Sequence, residues 1–202
     1  MNLREDQRDI LTEYLNIGMG RAAATLNNML GSPIRLQVPR VSVVPLEDAA
    51  KNLAEMGTGD FAAVCMKFTG NFKGSAALMF PSASAATLLK LLNQDTAPGS
   101  DMNAMKSGVL TEVGNIVLNA LMGSIVNLMK ERLEFVVPFY SEDTPAKIVN
   151  SMMDSEKDTH LIMARTSFQV EHGSVDGCAV IVFEISFMSK LAEALDRILQ
   201  SA

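Results

Sequence analysis

Tryptophan is absent from this 202-residue chain, tyrosine occurs twice, and aromatics make up only 5% of it. A core with so few large rings must be filled by aliphatic side chains and methionine, and the 14 Met supply that adaptable volume. Cysteine is nearly missing too. Cys65 and Cys178 stand without a CxxC or Cys/His spacing, and His160 and His172 are isolated. This argues against a metal site or a Cys–His nucleophile, and two lone thiols suit a reducing cytosol. Positive charge is short, with 17 Lys and Arg against 23 Asp and Glu, a net charge of −6. That argues against nucleic acid or an anionic membrane as the main partner and suits a basic patch on another protein. No uninterrupted apolar run reaches the ~18 residues that span a bilayer. The first residues, MNLREDQRDILTEYL, are charged and amphipathic, unlike a signal peptide. The expectation is a cytoplasmic protein with neither a nucleic-acid nor a membrane partner.

What the chain does contain is one short motif twice. Glu13-x-x-Asn16 is followed, across 22 intervening residues, by Pro39; Glu112-x-x-Asn115 is followed at the same distance by Pro138. The offset is constant, since 112 − 13, 115 − 16 and 138 − 39 all equal 99. A lone Glu-x-x-Asn carries little information. Three positions recurring in one register imply a duplicated chain that kept the same polar pair in both copies.

The rest of the sequence follows the same duplication. Apolar and small residues at three- and four-residue steps predict a long helix from Glu5 to about Leu30, stopped by Gly31 and Ser32-Pro33. Strands are expected at Ile34–Val38 and Val41–Leu46, a short helix at Glu47–Met56, strands at Phe61–Phe68 and Ser75–Phe80, and a helix from Ser82 to Leu92. The Pro-, Gly- and Ser-bearing stretch 94–101 reads as a linker. The order then repeats: a long helix from Met102 to Glu131, a strand at Leu133–Val137, a short helix at Pro145–Asp154, strands at Thr159–Phe168 and Cys178–Phe183, and a helix from Ser186 to Leu199. Pro39 and Pro138 are expected to end the strand after each long helix. The predicted fold class is α/β of the α+β type. Its two homologous halves, 1–93 and 102–202, form one domain with a shared mixed sheet and the long helices side by side.

Residues three apart on a helix are surface neighbours, so each motif presents a carboxylate beside a carboxamide. Asn is a poor helix former, and placing it mid-helix twice costs roughly half a kcal/mol each time. A carboxamide both donates and accepts hydrogen bonds, so it can hold a water in line with an electrophile, as glutamine does in GTPases. A carboxylate would repel a phosphoryl group but could pair with a basic residue of a partner and set the docking register. No P-loop, Gly-rich phosphate cradle or Lys/Arg cluster adjoins either motif. Each therefore reads as half an active site that a phosphorylated partner would complete.

These residues resemble the signature of the CheC/CheX/FliY family of chemotaxis phosphatases: Asp or Ser, three residues, Glu, two residues, Asn, 22 residues, Pro. Asp9, Glu13, Asn16 and Pro39 match every position. In the second copy Glu112, Asn115 and Pro138 match, but Gly108 holds the leading position and Ser107 falls one residue early. Two motifs, with neither an N-terminal binding peptide nor a C-terminal switch domain, make the chain resemble the CheC type. The resemblance implies a CheC-like fold with a pseudo-two-fold axis. It also implies hydrolysis of the aspartyl phosphate of the response regulator CheY, with catalytic residues Glu13, Asn16, Glu112 and Asn115. Each Asn would orient the attacking water and each Glu would contact a lysine of the regulator. No cofactor of its own is implied, because Mg²⁺ would be carried by CheY. The receptor deamidase CheD is a further partner that the resemblance allows, without a residue here to assign to it. The alternative is a binding module on the same fold that docks a regulator or CheD without turnover, as flagellar switch core domains do.

Overall fold

The computed structural model describes residues 3–30, 33–92, 102–153, 160–170, 173–183 and 185–200. The expected linker at 94–101 lies outside them. In chain order the elements are α1 (Glu5–Leu30), β1 (Ile34–Pro45), α2 (Leu46–Ala54), β2 (Phe61–Gly70), β3 (Gly74–Pro81), α3 (Ser82–Leu92), α4 (Met102–Met129), β4 (Leu133–Phe135), β5 (Phe139–Asp143), α5 (Pro145–Ser151), β6 (His160–Val170), β7 (Gly173–Phe183) and α6 (Ile185–Leu199).

One seven-stranded sheet runs β1-β6-β7-β3-β2-β4, with β5 also paired to β2. Every pairing is antiparallel, so the sheet is not the mixed one expected. The reason is connectivity. Short links make β2–β3 and β6–β7 hairpins, which can only be antiparallel. The first strand of each half then crosses to the other half: β1 pairs with β6, and β4 and β5 pair with β2. The halves are interlocked through these exchanged strands.

Both faces of the sheet are covered. On one side the helices α1, α3, α4 and α6 pack over Ala62, Val64, Met66, Ala76 and Leu78; on the other, α2 and α5 cover Phe61, Ala63, Cys65, Ala77 and Met79. Successive strand residues alternate between the two cores. That is why β2 and β3 read as continuous apolar runs rather than alternating ones.

The two motif helices touch closely. A Cβ on Gly18 of α1 would lie 2.7 Å from both the Ala120 carbonyl oxygen and Ser124 Oγ of α4. They sit differently on the sheet. α1 runs along the edge strand β1, while α4 rests on β2 and β3 and reaches β5. Gly114 permits this, because a Cβ there would fall 2.4 Å from Val64 Cβ on β2. Over Lys106–Met129, α4 is long and apolar enough by composition to cross a membrane, although no uninterrupted apolar run reveals it; half of its apolar window is buried within the fold.

Two strand boundaries differ from expectation for one reason. The predicted pair at 34–38 and 41–46 is a single strand, β1, whose register slips between Gln37 and Arg40. In the second half the chain pairs as β4, leaves 136–138 between, and resumes as β5. Pro39 therefore lies inside a strand rather than ending one, whereas Pro138 falls in the gap that follows β4. They sit at equivalent irregularities where the ladder skips a beat, a position where a missing N–H is tolerated.

Candidate active site on the paired helices

On α1, Asp9 and Glu13 are exposed and Asn16 is half-buried; on α4, Gly108 and Glu112 are exposed and Asn115 is half-buried. Both copies thus place a solvated carboxylate one helical turn before a partly covered carboxamide, as their spacing requires. The two amides do different things.

In β1, Gln37 faces Ser167 and Arg40 faces Arg165, which leaves Val38 and Pro39 opposite the single residue Thr166. Pro39 has no N–H to offer, and Val38 is left outside the ladder register. Asn16 supplies both of Val38's partners. The Val38 N–H donates to Asn16 Oδ1 at 2.8 Å, and Asn16 Nδ2 donates to the Val38 carbonyl at 3.0 Å. Nδ2 also donates to the Thr12 carbonyl at 2.9 Å. Both hydrogens of the Asn16 amide are thereby committed, and one lone pair of Oδ1 remains. The 22-residue spacing acquires a physical cause: the amide straps the bulge that its own proline occupies.

The second irregularity also carries one extra residue, three (136–138) facing two (66 and 67). Phe135 faces Phe68 and Phe139 faces Cys65, with the Val136 N–H donating to the Lys67 carbonyl at 2.9 Å. Yet no strap forms there. Asn115 Oδ1 accepts instead from Asn119 Nδ2 at 2.7 Å, and the same Nδ2 donates to the Asn115 backbone carbonyl at 2.8 Å. Asn115 Nδ2 has no partner among the described residues. The flanking valines record the contrast: Val38 is 1% exposed and Val137 83% exposed. Phe135, Val136 and Phe139 are exposed as well; Phe135, opposite Phe68, and Phe139, opposite Cys65, lie on opposite faces of the sheet.

Neighbouring groups fix α4 over this edge. Lys106, in its N-terminal part, forms an ion pair with Glu142 of β5. The Lys106 hydrogen bond holds the Glu142 carboxyl below the ordinary glutamate range, against a smaller opposing effect of burial. The two cysteines take no part in such chemistry. Burial pushes the Cys65 thiol up to about 11 and the Cys178 thiol up to about 12, so neither forms a thiolate nucleophile near neutral pH. Among the described residues no group of three His, Cys, Asp or Glu side chains could hold a metal ion. A cavity beside Pro39 is lined by Glu55, Met56, Arg165, Thr166 and Asp176 and by none of the four motif residues.

Sequence reading singled out the Glu/Asn pairs but missed Asn119 and the exposure of Phe135, Val136, Val137 and Phe139. Asn119 lies four residues after Asn115 on the same face, so helix geometry alone could have flagged it. The run Phe135-Val136-Val137-Pro138-Phe139 was readable only as part of a strand.

No protein-family model matches the chain. Over 172 residues it is 26% identical to the CheY-P phosphatase CheC of Bacillus subtilis (strain 168), covering 82% of this chain and 81% of that protein. Over 199 residues it is 21% identical to the flagellar motor switch phosphatase FliY of the same organism, covering 96% of this chain but 50% of FliY, so the chain spans about half of that relative. Among solved structures, Thermotoga maritima FliY superposes with a TM-score of 0.74 at 18% identity, covering 98% of this chain and 99% of that one. The duplicated signature, the fold and these relatives support placing the chain in the CheC/CheX/FliY family.

Proposed function

We propose that this member of the CheC/CheX/FliY family hydrolyses the aspartyl phosphate of a CheY-type response regulator in the cytoplasm. The regulator would bring the acyl phosphate and its Mg²⁺; this chain would bring an oriented carboxamide and an exposed carboxylate. The observation that carries the reading is Asn115, whose Nδ2 has no partner among the described residues while its Oδ1 is held in place by Asn119. Such an amide can donate to a phosphoryl oxygen and still accept from an attacking water through its second lone pair. Glu112, exposed one turn earlier, is suited to meet a basic residue of the regulator.

Glu13 and Asn16 form the second proposed site, on different terms. Asn16 would have to leave Val38 before it could donate to a visitor. That engagement favours a second reading for the first copy alone, a docking face that binds a regulator or CheD without turnover, as a flagellar switch component would.

Phosphate release from a CheY-type regulator charged with acetyl phosphate separates these roles. Asn115→Ala should lower the accelerated rate on the order of 10²-fold. Asn16→Ala should lower it less, and the double variant should abolish acceleration. Wild-type acceleration by the double variant would overturn the catalytic assignment.

A further inference from the structure

We infer that Asn119 is a positioning residue that sets which end of the Asn115 amide faces an incoming phosphate, an inference that rests on the reading above. Oxygen and nitrogen of an amide are interchangeable by shape, so the assignment must come from hydrogen bonding. Here the backbone resolves it. The Asn119 atom 2.8 Å from the Asn115 carbonyl oxygen must be the donor, Nδ2. The Asn115 atom 2.7 Å from that same Nδ2 must then be an acceptor, Oδ1. Asn115 Nδ2 is consequently the end turned away from Asn119, without a partner among the described residues. Reversing the amide would set two NH₂ groups against each other.

Asn119 is exposed and sits in the middle of α4, where Asn is a weak helix former. Both of these side-chain hydrogen bonds go to Asn115, so through them it braces no other element. The first copy has no counterpart. Ninety-nine residues earlier stands Gly20, where a Cβ would meet nothing within 4 Å, and there the β1 backbone orients Asn16 instead. The two copies therefore hold their amides by different devices: a strand bulge in the first, a side chain one helical turn away in the second. Only the second leaves the NH₂ without a partner among the described residues. Asn119 also donates to Oδ1, which polarises the amide and leaves one oxygen lone pair for water.

The test compares wild type, Asn119→Ala, Asn119→Asp and Asn119→Gln with the acetyl-phosphate-charged regulator, reading kcat and KM separately. Asn119→Ala frees the Asn115 amide and should lower kcat about tenfold at unchanged KM. Asn119→Asp can only accept, so it should turn the Asn115 NH₂ inward and lower kcat further. Asn119→Gln keeps a donor and should recover most of the loss. Neither Ala nor Asp should lower the thermal midpoint by more than about 2 °C, since the residue is exposed. Wild-type kcat in both the Ala and Asp variants, or a change confined to KM, overturns the inference. Failure of the underlying reading looks different: wild type itself would not accelerate phosphate release. In that event the Asn115 side-chain NH₂ resonances of the free protein still decide the point. They should shift between wild type and Asn119→Asp, and unchanged resonances refute the positioning role independently of activity.

Discussion

Asn16 and Val38, 22 residues apart in the chain, bond to each other through both ends of the Asn16 amide, at 2.8 and 3.0 Å. The pair replaces the two ladder bonds that the β1 bulge gives up. This makes the first motif amide part of the fold, whatever else it does.

Stability should therefore distinguish the two asparagines. Asn16→Ala strands the Val38 N–H and carbonyl beside a side chain that is 1% exposed, and should cost about 1–3 kcal/mol. Asn115→Ala removes no bond to another element and places a better helix former in α4, so its effect should lie within about 0.5 kcal/mol of zero. Urea unfolding of the two single variants checks this; equal midpoints would mean that the strap contributes nothing.

That difference also marks how far the sequence could be read. The two helices, their Glu/Asn pairs and the offset of 99 were legible because periodicity and spacing are local or self-referential properties. The use made of each amide was not, because Val38 and Val137 are the same residue type at the same register position. Whether the motif helix lies along the exchanged strand or over β2 decides which valine is buried, and that depends on long-range packing. Gly114, where the first copy has Leu15, is a sequence difference that bears on it. Pro39 was misread for a related reason. A residue without an N–H suggests the end of a strand, and only the partner strand reveals that two residues there face one. The parallel-or-antiparallel choice was hidden likewise, since the exchange of β1 and of β4 and β5 between halves leaves no local mark.

Glu112 is exposed and makes no ion pair among the described residues. If it meets a basic residue of the regulator, Glu112→Lys should act on docking and leave the reacting geometry intact. KM should rise about tenfold, equivalent to about 1.4 kcal/mol, with kcat preserved. The effect should shrink as ionic strength rises. Steady-state phosphate release at two salt concentrations reads both quantities, and a fall in kcat at constant KM would place Glu112 in the chemistry instead.

Acid sensitivity follows from Glu142. The hydrogen bond from Lys106 lowers its pKa in the folded protein. A depressed carboxyl contributes stability that is complete above the ordinary glutamate range, about 4.3, and is lost as pH falls through the lowered folded value. Glu142→Gln removes that dependence. The variant should be slightly less stable than wild type at pH 7, and the gap should close as pH falls below about 4. Thermal midpoints at a series of pH values test this. A gap that stays constant into the acid range would show that Glu142 acts through packing rather than charge.

Seating α4 on β2 is the step that sets the second amide apart, and two glycines of the same helix test it. At Gly114 a new Cβ would lie 2.4 Å from Val64 Cβ and 2.5 and 2.7 Å from its two γ-carbons. Val64 is buried and rigid at its branch point, so Gly114→Ala must lift the helix or shift the strand, at a cost of about 1–3 kcal/mol. Asn115 is the next residue and would move with it, so phosphate release should slow as well. At Gly108 nothing lies within 4 Å of a new Cβ. There the same substitution should stabilise the helix by roughly 0.5–1 kcal/mol and leave turnover unchanged. Identical chemistry at two positions of one helix should thus give opposite signs in a denaturation series. If Gly114→Ala proved as harmless as Gly108→Ala, α4 would not be pressed against Val64, and the placement of Asn115 would need another cause.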